Sequence, residues 1–368
     1  MYNMLSDVLD HYVDTRAKLR GLAKNVGTPD QKSLLVTIPE FIGYHLNKRS
    51  LAHLYKIEGS IGQGNIARVP WVGVFNKGVT KSAEKGFYIV LLFAEDMSSC
   101  FLSLNQGITA VERLYTKAFA WKKMREAGIH AANFLDRHPE TIVGKIDLKS
   151  TGDLGRGYEA AAIESFRYSH DNLPSEATFL DHLDHLLRQY DRLHMKFGSD
   201  LYSLFGVSED EFQQVALEKA AIKSTELTPA QFAGGVQRTA ATALGSQGYV
   251  RSPRVSADAI RAADFTCEID AQHWTFTSRA KRKRYVEAHH LIPISQQHNF
   301  EFSLDVVANV VSLCATCHRM LHYGEASERK HLLKNLLKLR KPFLREKEID
   351  VGDKVFLEFY GTGMLLDE

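Results

Sequence analysis

Hydrophobic and polar positions change period several times along the chain, and each change indicates a different element. Residues 1–56 place apolar side chains at roughly helical spacing, which predicts helices. Residues 57–105 instead form short β-rich runs, IARVPWVGVFN, GFYIVLLFAE and CFLSLNQG, separated by turns containing Gly, Asn and Lys. This part of the chain therefore predicts a small sheet that follows the helices.

Helical spacing returns after the predicted sheet. It covers residues 109–128, 155–168 and 175–197, with a further strand predicted over residues 142–150. Pro174 and Ser175 mark a helix start before the last of these segments. Beyond it, SEDEFQQVALEKAA is helix-like, whereas residues 233–256 are rich in Gly, Ser and Ala and are typical of a linker with helical pieces.

These patterns together predict an α+β protein in four parts. The first part, residues 1–195, is a mixed domain with a small sheet and helices. A helical linker region follows over residues 196–255, and a second domain covers residues 256–345. Residues 346–368 form a C-terminal extension.

Composition narrows the class of protein without naming a function. The 368 residues are 44% apolar and 24% charged, which is ordinary for a soluble globular protein. No apolar run reaches the length of a membrane span, and the amphipathic N-terminal segment lacks the pattern of a secretory signal. Three of the four cysteines lie in the last third of the chain, which favours a metal site over disulfides and fits a reducing, cytoplasmic location.

A cysteine pair near residue 315 is the first candidate metal site. Cys314 and Cys317 have C-x-x-C spacing, which suits either a zinc site or a redox pair. Upstream, Cys267 and His273 would complete a Cys₃His zinc site, and Asp270 competes with His273 for the fourth position. We favour the histidine, since imidazole is the commoner partner of thiolates on structural zinc.

Two adjacent histidines end a short apolar strand in RYVEAHHLIPIS, and the cysteine pair follows them in NVVSLCATCHRMLH. Neighbours on a strand point to opposite faces, so His289 and His290 diverge. With the segments CEIDAQHWTF and VVANVVSLCATCHRMLHYG, this order resembles an HNH endonuclease domain of the zinc-stapled kind over residues 262–324. The resemblance implies a ββα-metal fold with one divalent cation at the catalytic centre.

The same resemblance implies a role for each motif residue. It makes His290 the general base and Asn309 the residue that orients the loop holding that base. His289 and His318 become ligands of the catalytic cation, and His322 is either a third ligand or a phosphate contact. This cation is distinct from the zinc: Mg²⁺, Mn²⁺, Ni²⁺ and Co²⁺ all remain open, because imidazole ligands favour transition metals and abundance favours Mg²⁺.

Two basic segments accompany the histidine motif. The segment SRAKRKRY covers residues 278–285, at the position expected for a hairpin tip, and ERKHLLKNLLKLRK covers residues 328–341. Beside a phosphodiesterase site such segments favour contacts with the phosphates of double-stranded DNA. The predicted contacts at the hairpin are Lys281, Arg282, Lys283 and Arg284.

The front of the chain resembles the MrcB-like N-terminal domain of methylcytosine-dependent restriction enzymes. The features that match are the glycine turn at residues 62–65, the pair Pro70–Trp71, the strand GFYIVLLF and the following LSLNQG. The resemblance implies a domain that binds DNA and turns a modified cytosine out into an aromatic pocket.

Matched by position, this resemblance places Trp71, Tyr88 and Leu92 in that pocket, although Trp71 and Tyr88 also suit a plain sheet core. Gln63 stands where the best-known family member has a tyrosine, which leaves an amide to contact a base edge or fill a groove.

We therefore expect a metal-dependent HNH DNA endonuclease, nicking or cutting both strands, that belongs to bacterial restriction or anti-phage defence. The alternative is a catalytically inactive DNA-binding regulator with a degenerate HNH zinc module. The chain has no Walker motif, so NTP-driven translocation would need a partner protein of a multi-gene defence system. Without a heptad seam, a monomer is favoured over a dimer.

Overall fold

The structure is a computed structural model that describes residues 1–222, 251–279 and 282–361. These residues form two compact units, one of residues 1–113 with 117–206 and one of residues 114–116 with the chain from Val207 onward. Both units combine helices with a sheet, which confirms the α+β class. The domain bounds at residues 195, 255 and 345 stay predictions.

The first unit contains seven helices and six strands among its described residues. The helices are α1 (Tyr2–Lys18), α2 (Pro29–Lys32), α3 (Ile38–Lys48), α4 (Ile108–Leu114), α5 (Lys117–Ala132), α6 (Asp153–Ala161) and α7 (Glu176–Phe197). The strands are β1 (Tyr55–Ser60), β2 (Trp71–Asn76), β3 (Phe87–Phe93), β4 (Ser99–Gln106), β5 (Ile142–Val143) and β6 (Ala162–Ser169).

An antiparallel sheet with the order β1-β2-β3-β4-β6-β5 forms the centre of the first unit. Every residue of β3 and β4 is buried, so both strands are covered on both faces. The continuous apolar run of β3 is typical of such a strand, whereas β4 also buries polar side chains such as Ser103 and Asn105. Helix α7 packs on these two strands. The Tyr190 hydroxyl of α7 donates to the carbonyl of Phe87, the first residue of β3, at 2.7 Å. This bond connects the helix to the start of the strand.

One element differs in kind from the sequence prediction. The helix predicted over residues 155–168 ends at Ala161, and β6 follows it without a loop. Pairing along β4 overrides the local helical spacing, because it buries residues 162–166 and satisfies their backbone groups within the sheet. The buried Ser165 hydroxyl donates to that of Ser103 at 2.7 Å across the two strands. The strand predicted over residues 142–150 is confined to β5.

The second unit consists of a short hairpin surrounded by helices. Its helices are α8 (Glu209–Ala221), α9 (Pro253–Ala262), α10 (Ala315–Tyr323), α11 (Ala326–Glu346) and α12 (Asp353–Gly361), and its strands are β7 (Glu287–His290) and β8 (Val310–Leu313). Strands β7 and β8 are antiparallel, with Glu287 opposite Leu313 and His290 opposite Val310. Helix α8 is helical as expected for the linker region, and residues 223–250 of that region lie outside the described residues.

Sequence signals at the helix ends agree with the structure. Ser208 and Glu211 form a capping box at the start of α8, and Pro253 occupies the first turn of α9, where its missing N–H is not needed. None of the described helices has both the length and the apolar character that a membrane span requires.

Gly59 allows β1 to approach the turn before α3. A Cβ at this position would collide with the backbone carbonyl of Leu34, and backbone atoms on both sides leave little room to yield. Gly59→Ala should therefore destabilise the first unit by about 1–3 kcal/mol, the usual cost of overpacking. Thermal or urea unfolding would measure the change.

Gly43→Ala provides the control for this prediction. A Cβ at Gly43 would meet only the Ile57 side chain, at 3.6 Å, and alanine favours the helical interior of α3. The control should be neutral or stabilising. Equal stability of Gly59→Ala and wild type would contradict the close approach.

Candidate functional site

Four side chains of the second unit form a compact thiol–imidazole cluster. Cys267, His273, Cys314 and Cys317 each offer a ligand atom, and these atoms lie within 4.8 Å of one another. The His273 Nδ1 atom is 3.3 Å from the Cys317 Sγ atom and 3.7 Å from that of Cys314. Three thiols and one imidazole are a donor set that tetrahedral zinc accepts. The arrangement joins the loop after α9 to the first turn of α10.

The surroundings of the thiols suit a bound cation. Burial raises the pKa of Cys267, but hydrogen bonds from backbone N–H groups, including that of Cys314, lower it by more. The pKa of Cys267 is therefore below its ordinary value. Burial and the neighbouring thiols raise the pKa of Cys317. A divalent cation removes this conflict, because it stabilises several thiolates at once.

Asp270, which the sequence offered as an alternative to His273 for the fourth position, lies outside the cluster. Its carboxylate accepts the backbone N–H of Gln272 at 2.8 Å and lies 3.9 Å from the outer nitrogen of His273. The structure therefore brings the three cysteines together with the histidine.

Three imidazoles form a second cluster. His289 of β7 and His318 and His322 of α10 offer ligand atoms within 4.8 Å of one another. His318 and His322 are one helical turn apart, and their Nε2 atoms are 3.0 Å from each other. His289 and His318 are buried, and His322 is partly exposed. Such a set suits a transition-metal ion with an open side toward solvent.

Two imidazoles of this cluster, His289 and His322, are held in the neutral form that metal ions require. Burial, together with the nearby His318 and His322, holds the pKa of His289 well below its usual range. Burial and then His318 lower the pKa of His322 to about 4. Both rings are therefore neutral near pH 7 and present lone pairs.

A buried carboxylate orients the third ring. The His318 Nδ1 atom lies 2.5 Å from a Glu287 oxygen, and the Tyr285 hydroxyl donates to the other oxygen at 2.7 Å. Burial raises the pKa of Glu287, but the hydrogen bonds from His318 and Tyr285 lower it below its ordinary value. The ionised carboxylate accepts the Nδ1 proton of His318, so in the neutral ring Nε2 is the nitrogen with a lone pair for the cluster.

His290 lies on the other face of β7 from Glu287 and His289, as strand alternation requires. Its Nε2 atom is 3.0 Å from an oxygen of Asp305, and the second oxygen of that carboxylate accepts the backbone N–H of Ser252 at 2.7 Å. The buried imidazole is thus paired with a carboxylate, which is an arrangement suited to a general base.

Asn309 holds the loop that follows His290. Its Oδ1 atom accepts the Ile292 N–H at 2.8 Å, and its Nδ2 group donates to the carbonyls of Ile292 and Leu304 at 2.9 and 3.0 Å. The side chain is fully buried. These bonds connect the end of β7 to the turn before β8, so they restrict movement of the strand that carries His290.

The basic segment after residue 277 divides into exposed and inward-facing side chains. Arg282 and Lys283 are exposed, and the Lys283 ammonium lies 5.0 Å from the centre of the Phe265 ring. Lys281, the other lysine predicted to contact phosphate, lies outside the described residues. Arg284 points inward instead, and its guanidinium donates to the His273 carbonyl at 2.5 Å. Arg284 therefore supports the loop that carries a cluster ligand.

The second basic segment lies within α11, where Leu333, Leu336 and Leu337 face the core of the unit. Arg340 donates to both carboxylate oxygens of Glu268 at 2.6 Å, and Lys341 pairs with Asp353. Part of this charge is therefore engaged within the unit.

The residues predicted for the base pocket lie together on the sheet of the first unit. Trp71 and Leu92 are opposite each other on β2 and β3, and Tyr88 points to the same face as Leu92. Trp71 is half-buried, whereas Tyr88 and Leu92 are fully buried. Gln63 is exposed in the preceding turn, between Gly62 and Gly64, both of which have positive φ.

Three side chains that touch these groups were missed from the sequence. Tyr158 accepts a hydrogen bond from Trp71. Burial raises the pKa of Tyr158 to about 12, although the hydrogen bond from Trp71 acts in the opposite direction. Glu287 could have been found, since it precedes His289 by two residues and therefore shares its strand face. No local signal indicates Asp305, because a loop brings it to His290.

Two family models match this chain. The model of the MrcB-like, N-terminal domain matches residues 26–195, and that of the HNH endonuclease domain matches residues 267–327. The two matches lie in the order that the motifs predicted. The second match includes all ligands of both clusters.

A curated relative shares part of the chain. Over 77 residues, the chain is 35% identical to the type IV methyl-directed restriction enzyme EcoKMcrA of Escherichia coli (strain K12). The aligned stretch covers 21% of this chain and 26% of that enzyme. The chain thus spans about a quarter of this relative's length.

Zinc content tests the thiol–imidazole cluster. Purified protein should hold about one tightly bound zinc per chain, and Cys317→Ser should lose it and destabilise the second unit, since structural zinc is coupled to folding. Elemental analysis and thermal unfolding provide the measurements. Cys100→Ala, in β4 of the first unit, is the matched control and should retain the metal. Stable, zinc-free wild-type protein would contradict the assignment.

Proposed function

We propose that this protein is a metal-dependent DNA endonuclease of the restriction type that acts in bacterial defence against phage, with a front domain that senses modified bases. The single observation that carries the proposal is the division of labour on β7. Three imidazoles converge on one face of the strand, and a carboxylate-paired imidazole lies on the other. The proposed substrate of this site is a phosphodiester bond of DNA. The enzyme would meet this DNA in the cytoplasm.

His290 acts as the general base in this proposal. The Asp305 carboxylate accepts the proton on His290 Nε2, so Nδ1 carries the lone pair that takes a proton from water. Asp305 then stabilises the imidazolium that forms. A cation held by His289, His318 and His322 would stabilise the negative charge that develops at the scissile phosphate. Asn309 keeps the strand in place through the loop that follows it.

The exposed side chains Arg282 and Lys283 are proposed phosphate contacts. The segment that carries them is held beside the thiol–imidazole cluster, because the inward-facing Arg284 donates a hydrogen bond to the backbone carbonyl of His273. Trp274, next to the ligand His273, is 83% exposed and offers an apolar contact to the same DNA. Phosphate contacts of this kind make binding fall steeply with salt.

Trp71, Tyr88 and Leu92 are proposed to receive a base turned out of the duplex. Trp71 supplies the accessible aromatic surface, and the fully buried Tyr88 and Leu92 lie on the same face of the sheet and support it. Gln63 extends from the exposed glycine turn, where its amide contacts a base edge or the groove. The methyl-directed activity in the relative's name supports a modified base as the target.

Plasmid cleavage tests the proposed base. His290→Ala should reduce metal-dependent cleavage by about 10²–10⁴-fold, because the proposed general base is lost, while DNA binding and zinc content persist. His298→Ala is the matched control, since this exposed histidine lies eight residues downstream and its Nδ1 atom hydrogen bonds with the Ser295 carbonyl in its own turn. Near-wild-type cleavage by His290→Ala would refute the role. A wild-type protein that binds DNA without cutting it would favour the inactive regulator.

Binding to duplexes with and without 5-methylcytosine tests the pocket. In the His290→Ala background, Trp71→Ala should weaken binding to the modified duplex by about 1–3 kcal/mol, the usual value of base–aromatic stacking. Tyr44→Ala, an exposed tyrosine of α3, should leave binding unchanged. If Trp71→Ala lowers the melting temperature and the folded fraction binds normally, Trp71 is part of the sheet core instead.

A further inference from the structure

The hydroxyl of Tyr360, in the last turn of α12, lies between two groups of the nuclease motif. It is 3.0 Å from the Nε2 atom of His289 and 2.6 Å from the carbonyl oxygen of Leu291. Tyr360 is buried, with 3% of its surface exposed, and its ring packs against Phe356 of the same helix. Helix α12 lies beyond residue 327, where the match to the HNH family ends.

The two contacts determine the direction of each hydrogen bond. A carbonyl oxygen only accepts, so the single hydroxyl hydrogen of Tyr360 is donated to Leu291. The hydroxyl oxygen must then accept the second bond, and the proton in that bond belongs to His289 Nε2. His289 is therefore the Nε2–H tautomer, and its lone pair is on Nδ1.

This tautomer matters because the two ring nitrogens of a metal-binding histidine have different tasks. One nitrogen binds the cation, and the other donates to a group that fixes the ring and raises its basicity. Glu287 has this second role for His318. We propose that Tyr360 has the same role for His289, so that α12 is a working part of the cation site and His289 binds the cation through Nδ1.

The proposal rests on the proposed function, because it requires a cation at the three histidines. Tyr360 itself is a positioning residue and touches neither DNA nor cation. Its second hydrogen bond, to the Leu291 carbonyl, connects the same hydroxyl to the residue that follows β7. The Leu291 N–H in turn donates to the Asn309 carbonyl at 2.7 Å. One phenol thus orients the ring and supports the backbone on which the ring is mounted.

Calorimetric titration of Ni²⁺ into full-length, zinc-loaded protein tests this role without reference to cleavage. Tyr360→Phe keeps the ring and removes the hydroxyl, so it should weaken Ni²⁺ binding by about 10–100-fold, the usual effect of losing such an outer partner. Zinc content should stay at the wild-type level. Tyr323→Phe is the matched control, since this tyrosine of α10 is 70% exposed although it follows His322 directly. It should bind Ni²⁺ like wild type.

A second measurement needs no variant and so does not depend on how Tyr360→Phe folds. Long-range ¹H–¹⁵N spectra of zinc-loaded wild type, with His289 assigned by comparison with His289→Gln, should show the Nε2–H tautomer. The Nδ1–H tautomer would overturn the proposal.

Unchanged Ni²⁺ affinity in folded Tyr360→Phe would also overturn the role of Tyr360 while leaving the nuclease assignment intact. Failure of wild type to bind Ni²⁺ at the three histidines would reject both.

Discussion

The four-residue ladder between β7 and β8 is the constraint on which the candidate site depends. Its antiparallel pairing fixes which face each side chain of β7 occupies, so Glu287 and His289 share one face and His290 takes the other. A slip of one residue would exchange these faces, and it would move His289 away from His318 and His322 and His290 away from Asp305. So short a ladder has few backbone bonds of its own, and its register therefore needs support from the side chains around it.

That support comes from both ends of the ladder. Beyond β7, the side chain of Asn309 binds the backbone of the following loop, and at the other end the Ser312 N–H donates to Glu268 at 2.8 Å. Glu268 also accepts two hydrogen bonds from Arg340 of α11. This contact joins Glu268, the neighbour of Cys267, to the basic helix α11. Some of the basic residues therefore stabilise the hairpin, which separates their role from that of exposed residues such as Arg282.

The sequence predicted the parts of the site that are local and missed those that come from a distance. The order of residues from Cys267 to His322 was recognised from its resemblance to the HNH motif, and only the one-turn spacing of His318 and His322 follows from the residues themselves. Asp305 and Tyr360 had no such signal, since each reaches its histidine through the tertiary fold. Strand β6 was predicted as helix for the same reason: pairing with β4, which lies about 60 residues earlier, decides its conformation rather than its own spacing.

The thiol–imidazole cluster and the three-histidine cluster share the first turns of α10, and this coupling explains why the domain carries both. Cys314 caps the helix and accepts the Cys317 N–H at 3.4 Å, and His318 is the next residue. A cation at the thiols would fix the helix start, and with it the direction of His318. Burial lowers the pKa of both His289 and His322, but neutral rings alone do not assemble a site. Their geometry also depends on the helix that carries Cys317 and His318, so in the proposed enzyme the thiol–imidazole cluster would set the precision of the cation site.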